Sequence, residues 1–200
     1  AAAGIMSVTG YPETGPTKVG FWVCDMTTGM NAAFAISTAL FRRAQTGQGD
    51  YIDVSMLDTA VSLMSPMIGL PLNYDVDPKV SGNGSPASGG PSSVFETRDG
   101  TVTIATVTPS QFAAMTREIG RPELAKDERF STVAARIENA AAYREEVLVE
   151  FAKDTAANWE VRLNDAGVPA SKNSSAREVG TDAQLVHREM FQKLTPPPGI

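Results

Sequence analysis

The sequence predicts an α/β chain in two parts, a first third of alternating strand and helix and a smaller α+β second half. Three observations carry that prediction. Apolar and small-residue runs alternate over residues 1–68 as strand, helix, strand, helix, the order of α/β sheets. Composition then shifts at Gly69 into a stretch rich in proline, glycine, asparagine and serine. Beyond it, an Asp-Gly turn signal at Arg98-Asp99-Gly100 precedes a series of helical patterns. The divisions read from these are 1–68, a linker with a glycine-rich loop at 69–93, a small α+β domain at 94–193 and a proline-rich connector at 194–200.

Residues 1–18, rich in Gly, Pro and Thr, read as loop. Val19–Cys24 is a short apolar run and reads as a buried strand. Asp25–Gln45 reads as a helix whose small residues, Ala32, Ala33, Ala35, Ser37 and Ala39, permit close packing. Arg42 and Arg43 suit the negative end of its dipole, and the glycines of Thr46-Gly-Gln-Gly49 end it. Asp50–Met56 alternates in part and reads as a strand. Leu57–Ile68 reads as a helix interrupted by Pro66. Val94–Thr97 and Thr101–Thr106 flank the Asp-Gly turn as a hairpin. Pro109–Ile119 is a helix with proline near its start, where proline is tolerated. Residues 120–132 show no clear period. Val133–Lys153 reads as one long amphipathic helix. A further helix begins at Thr155, a capping residue, and stops at Ala166-Gly167-Val168-Pro169. A last helix covers about 182–193.

Composition restricts the function. The chain is 42% hydrophobic and 20% charged, enough to bury a core. A net charge of −6 disfavours non-specific binding to nucleic acid or acidic membranes. Neither a run of about 18 apolar residues nor a basic signal start is present. The single cysteine, Cys24, excludes an internal disulfide and fits a reducing, cytoplasmic compartment. It reads as a small buried residue. The single histidine, His187, lies in a polar helical run, with no Gly-x-Ser-x-Gly elbow to pair with and too few ligands nearby for zinc. It reads as a solvated side chain. The opening Ala1-Ala-Ala-Gly and the closing Thr195-Pro-Pro-Pro-Gly-Ile200 read as the interior of a longer chain.

The residue that carries most information is Asp25, in Gly20-Phe-Trp-Val-Cys-Asp25-Met-Thr-Thr-Gly29. It stands at the mouth of a long helix, where α/β enzymes place reactive groups. From the pattern alone it can be a nucleophile, a base or a helix cap. The segment Ser81-Gly-Asn-Gly-Ser-Pro-Ala-Ser-Gly-Gly-Pro91 reads either as a mobile loop or as a lid whose amides approach a ligand. Asp53 and Asp58 read as a strand-exposed residue and a helix cap. Trp22 reads as packing in the sheet, with substrate contact as the other option.

Several segments together resemble the family III CoA-transferases, the group of formyl-CoA transferase and the carnitine CoA-transferases. They are Met6-Ser-Val-Thr-Gly10 and Pro16–Gly20, then Asp25-Met-Thr-Thr-Gly29, then Arg43-Ala-Gln-Thr-Gly-Gln-Gly49 with Tyr51-Ile-Asp-Val-Ser-Met-Leu-Asp58. The series continues with Phe95-Glu-Thr-Arg-Asp-Gly100, Gly120-Arg-Pro-Glu-Leu124, Asp127-Glu-Arg-Phe130, Arg136 and Leu163-Asn-Asp-Ala-Gly-Val-Pro169. The resemblance runs through nearly the whole chain in order. It implies an interlocked homodimer of two-domain subunits, with residues 1–68 the later part of a Rossmann-like large domain. It places Asp25 where the family has its catalytic aspartate, which attacks an acyl-CoA thioester to give a mixed anhydride and a CoA thiolate. It implies no resident cofactor, with the coenzyme A thioester as substrate and a small carboxylic acid as partner. It also makes Gly82, Gly84, Gly89 and Gly90 candidates for the loop that closes over the aspartate, although the family's unbroken run of four glycines is absent.

Two other functions compete. The related α-methylacyl-CoA racemases use the corresponding aspartate in proton transfer. They tend to have a Gly-Asp-aromatic start and a Glu-Pro-Gln-Phe-like segment, where this chain has Cys24-Asp25-Met26 and Thr108-Pro-Ser-Gln-Phe112. Both departures favour the transferase. A non-catalytic binding protein on the same fold is the third reading.

Overall fold

The computed structural model describes residues 2–84, 93–193 and 195. The chain divides into two units, residues 1–92 with 133–140, and residues 93–132 with 141–200.

The first unit opens with a 3-10 turn, Ile5–Ser7, and a two-residue hairpin. In it β1 (Gly10–Tyr11) pairs antiparallel with β2 (Gly15–Pro16). The apolar run Val19–Cys24 is not a strand. It stays irregular and turns directly into helix α1 (Val23–Thr46). Asp50–Ser55 likewise makes no ladder. Val19–Cys24 was expected as a strand from its apolar run and Asp50–Met56 from its alternation, but a strand exists only where a neighbour takes its N–H and C=O groups. Among the described residues neither segment has such a neighbour. α1 ends at Gly47, whose φ of 75° is the left-handed stop that glycine allows.

α2 (Met56–Leu63) is capped by Ser55, whose hydroxyl accepts the Asp58 N–H. The cap is thus Ser55 and not Asp58. α3 (Ser65–Tyr74) begins with Pro66 in its first turn, where the missing N–H costs nothing. It runs on through Pro71 into residues expected as linker. Thr59, Ala60 and Met64 are buried here, and Asn31 of α1 donates to the Thr59 hydroxyl at 3.2 Å.

The second unit carries its own core. β3 (Val94–Glu96) and β4 (Thr101–Ile104) form the expected hairpin, with Phe95 opposite Val102. Thr108 caps α4 (Pro109–Glu118) through a capping box with Gln111. The expected long helix over 133–153 is two helices, α5 (Val133–Glu138), which belongs to the first unit, and α6 (Ala140–Phe151). The break falls at Asn139, whose backbone N–H and side-chain amide both donate to the Ala135 carbonyl, at 3.0 and 2.9 Å. α7 (Ala156–Asp165) is capped by Thr155 as expected, and the Asp99 carboxylate accepts the Ala156 N–H. β5 (Ala170–Lys172) adds antiparallel to β4, giving sheet order β3-β4-β5. A further short helix, α8 (Ala176–Val179), precedes the expected last helix, which is present but shorter, α9 (Ala183–His187).

Val102 and Ile104 of β4 point into a core with Phe112, Met115, Phe130 and Val147. Phe95 stacks on Phe151 at 4.9 Å, and Phe151 meets Trp159 edge-on at 5.1 Å. The Trp159 indole donates to the Phe151 carbonyl at 2.8 Å, so the one polar atom of that ring is satisfied in the core. α1 presents the opposite picture. None of its residues is buried, and Met30, Phe34 and Phe41 are 70%, 75% and 67% exposed. No helix among the described residues is long and apolar enough to cross a membrane.

Candidate active site

Asp25 is the third residue of α1. Helix formation is favoured by the alanines and long unbranched side chains along it, Ala32, Ala33, Ala35, Ala39, Met26 and Met30 among them, and Trp22 precedes the helix with φ −80° and ψ 62°. Trp22 offers no side-chain cap. The first intrahelical bond runs from the Met26 N–H to the Trp22 carbonyl at 3.0 Å. The N–H groups of Cys24 and Asp25 find no acceptor among the described residues. Two orphan donors and the positive end of a 24-residue helix therefore coincide at this point. Thr27 and Thr28 brace the turn by donating to the Val23 and Cys24 carbonyls at 2.7 and 2.6 Å.

The Asp25 carboxylate itself is exposed and makes no hydrogen bond or ion pair to any described residue. It is not the helix cap, which answers one of the three options left open above. Its lone pairs remain available for chemistry, and the helix dipole favours an anion there.

A cavity of about 360 Å³ lies against this turn. Ile5, Met6, Val19, Phe21 and Trp22 make apolar walls, and Cys24, Lys18 and Asp25 complete the lining. The lining joins the 3-10 turn, the approach to α1 and its first turn, pieces distant from one another in any strand-based reading. Trp22 is 76% exposed and does not pack in a sheet as expected. Cys24 is half-buried.

Gly82 and Gly84 do not line this cavity. Gly82 has a φ of 57°, and its N–H donates to the Gly10 carbonyl at 2.8 Å. The Tyr11 ring lies so close that a Cβ on residue 82 would sit 2.6 Å from Tyr11 Cδ1. The Gly84 N–H donates to the Ser81 carbonyl at 2.9 Å. Both amides are thus engaged within the chain. Gly89 and Gly90 lie outside the described residues, as does the proline-rich connector 194–200 apart from residue 195. Asp53 is exposed in the irregular segment after α1, and His187 is exposed at the end of α9. No group of His, Cys, Asp or Glu able to hold a metal occurs among the described residues. Lys18 escaped the sequence reading, because nothing in a Gly/Pro/Thr-rich loop signals that its last residue shares a cavity with Asp25.

The described units form a mixed α/β protein with a carboxylate at the mouth of a helix. The chain matches CoA-transferase family III over residues 1–199 and belongs to that family. It is 28% identical to succinyl-CoA:glutarate CoA-transferase of Mus musculus, over 98% of this chain and 45% of the mouse protein. It is 30% identical to succinyl-CoA–D-citramalate CoA-transferase of Chloroflexus aurantiacus, over 94% of this chain and 47% of the relative. The crystal structure of a CAIB/BAIF family protein from Brucella suis superposes with a TM-score of 0.80 at 32% identity, covering 94% of this chain and 50% of that one. The chain thus spans about half the length of the relatives it matches.

Proposed function

We propose that the chain carries the acyl-accepting carboxylate of an enzyme that moves CoA from an acyl-CoA thioester to a carboxylic acid. Asp25 is the nucleophile. One carboxylate oxygen attacks the thioester carbonyl carbon, the C–S bond breaks, and the electron pair leaves with the CoA thiolate. The product is a mixed anhydride between Asp25 and the acyl group. The thiolate then attacks the Asp25 carbonyl, releases the donor acid and leaves CoA on Asp25 as a thioester. The acceptor acid repeats the exchange in reverse, leaves as its CoA thioester and restores the Asp25 carboxylate. No net proton is consumed, so the exchange itself needs no general base.

One observation carries this reading: the Asp25 carboxylate is uncommitted while two backbone N–H groups beside it have no acceptor. Such donors can hold the oxyanion of a tetrahedral intermediate. An apolar wall limits the water that would hydrolyse the anhydride. Membership of family III and the activities in the relatives' names agree with it. The interlocked homodimer belongs to the same proposal. Its support is the uncovered apolar surface of α1, since monomers rarely leave so large a patch in water.

The test is to incubate the full-length protein with a panel of acyl-CoAs and hydroxylamine, then map adducts by peptide mass spectrometry. A hydroxamate on Asp25 is expected. Exchange of the α-proton with solvent, with no adduct and no need for an acceptor acid, would replace the transferase with a racemase.

A further inference from the structure

Among the described residues, Lys18 is the one cation that lines the Asp25 cavity and Asp25 the one carboxylate. The rest of the lining is apolar apart from the half-buried Cys24 thiol. Lys18 forms no ion pair or hydrogen bond with any described residue, Asp25 included. In a chain with net charge −6, most of the described ion pairs engage cations of the second unit, yet this ammonium beside the reactive carboxylate stays uncommitted. Lys18 is exposed, and a lysine that lines a cavity can lay its methylene stem along apolar wall while its ammonium stays in water.

We infer that Lys18 binds the far carboxylate of a dicarboxylic acyl group whose near carboxyl is joined to Asp25. This rests on Asp25 being the residue that carries the acyl group. An acyl chain attached to Asp25 extends into a cavity with apolar walls and one cation. Methylenes are compatible with the walls, and a terminal carboxylate gains a charge-assisted contact with the ammonium. A monocarboxylic chain of the same length leaves the ammonium without a partner. Donor and acceptor acids both pass through Asp25, so the same lysine selects dicarboxylic acids on both sides of the exchange.

The experiment has two separate readouts in the full-length protein. Calorimetric titration with glutarate and with pentanoate gives a preference ratio for wild type, Lys18→Ala, Lys18→Arg and Lys18→Glu. Hydroxylamine trapping with glutaryl-CoA reports acylation of Asp25. Wild type is expected to prefer glutarate. Lys18→Ala should reduce that preference about tenfold, the scale of one hydrogen bond to a charged group. Lys18→Arg should largely retain it, and Lys18→Glu should reverse it. An exposed loop position tolerates all three, and a melting curve for each establishes that the fold is kept. Equal preference in wild type and Lys18→Ala, or no preference in wild type, overturns the assignment even if Asp25 is trapped. A preference that follows Lys18 without a hydroxamate on Asp25 supports the dicarboxylate site and sinks the anhydride mechanism instead.

Discussion

Replacing Gly82 by alanine perturbs two things that the structure separates. The backbone there has φ 57°, in the left-handed region. An L-residue in that region costs about 1–2 kcal/mol. The new methyl would also stand 2.6 Å and 2.9 Å from Tyr11 Cδ1 and Cε1. Carbon atoms rest at about 3.5–4.0 Å, so ring or backbone must move by roughly 1 Å. Moving the backbone breaks the 2.8 Å bond from the Gly82 N–H to the Gly10 carbonyl, worth about 0.5–1.5 kcal/mol. The sum is about 2–3 kcal/mol of local destabilisation. Amide hydrogen exchange of residue 82 reads it directly, and protection should fall by about 30- to 150-fold. A double-mutant cycle with Tyr11→Ala divides the effect. Without the ring the methyl has room, leaving only the φ cost, so the two substitutions should couple by about 1 kcal/mol. Strict additivity would refute the steric part, and full protection in Gly82→Ala would refute both parts.

Asp25→Asn in the full-length protein should lower CoA transfer by about 10⁴-fold or more, as loss of a nucleophile does. Its melting temperature should hardly move, because the side chain has no described partner and loses only about 0.3–1 kcal/mol of dipole interaction. Turnover within tenfold of wild type would remove Asp25 from the mechanism. Trp159→Phe removes the pyrrole half of the indole, leaving the Phe151 carbonyl without its indole donor and a gap in the core, so chemical denaturation should show a loss of about 1–3 kcal/mol for the donor alone and more with the gap. Glu178 is held down at about 2 from an ordinary 4.5, first by the Ser175 N–H, then by the Ser175 hydroxyl and Lys172. A depressed carboxyl stabilises the fold above its unfolded value and loses that contribution as pH falls toward the folded one. Exchange protection at the start of α8 should therefore decline between about pH 4.5 and 2, and it should be insensitive to acid in that window in Glu178→Gln.

The sequence was most legible where local chemistry decides the structure. Thr155 caps α7, the Asp-Gly turn joins β3 to β4, and Gly47 stops α1, each by interactions within a few residues. It was misleading where the outcome depends on partners far along the chain. Val19–Cys24 and Asp50–Met56 have strand-like composition, yet no neighbour among the described residues completes a ladder. Pro66 and Pro71 suggested a break and a linker, but a proline in the first turn is harmless, and α3 absorbs the second. What periodicity presents as one helix is divided at Asn139, where α5 ends and α6 begins, a boundary that apolar spacing does not encode. Asp25 stood out because an apolar run delivers one carboxylate to the start of a long small-residue helix, within a segment that resembles the family motif. Lys18 did not, since its meaning comes from a cavity closed by Ile5 and Met6, residues that approach it only in three dimensions.

The contrast between the buried aromatic cluster of the second unit and the bare flank of α1 has a consequence for how the protein responds to dilution. A core such as that of Phe95, Phe151 and Trp159 is complete within one chain, so its melting is independent of protein concentration. If a second subunit covers the apolar flank of α1, as in the proposed homodimer, that contact obeys mass action, and the midpoint of the first unit rises with protein concentration while that of the second stays fixed. On that proposal, cellular abundance becomes a determinant of whether the helix that carries Asp25 is held in place.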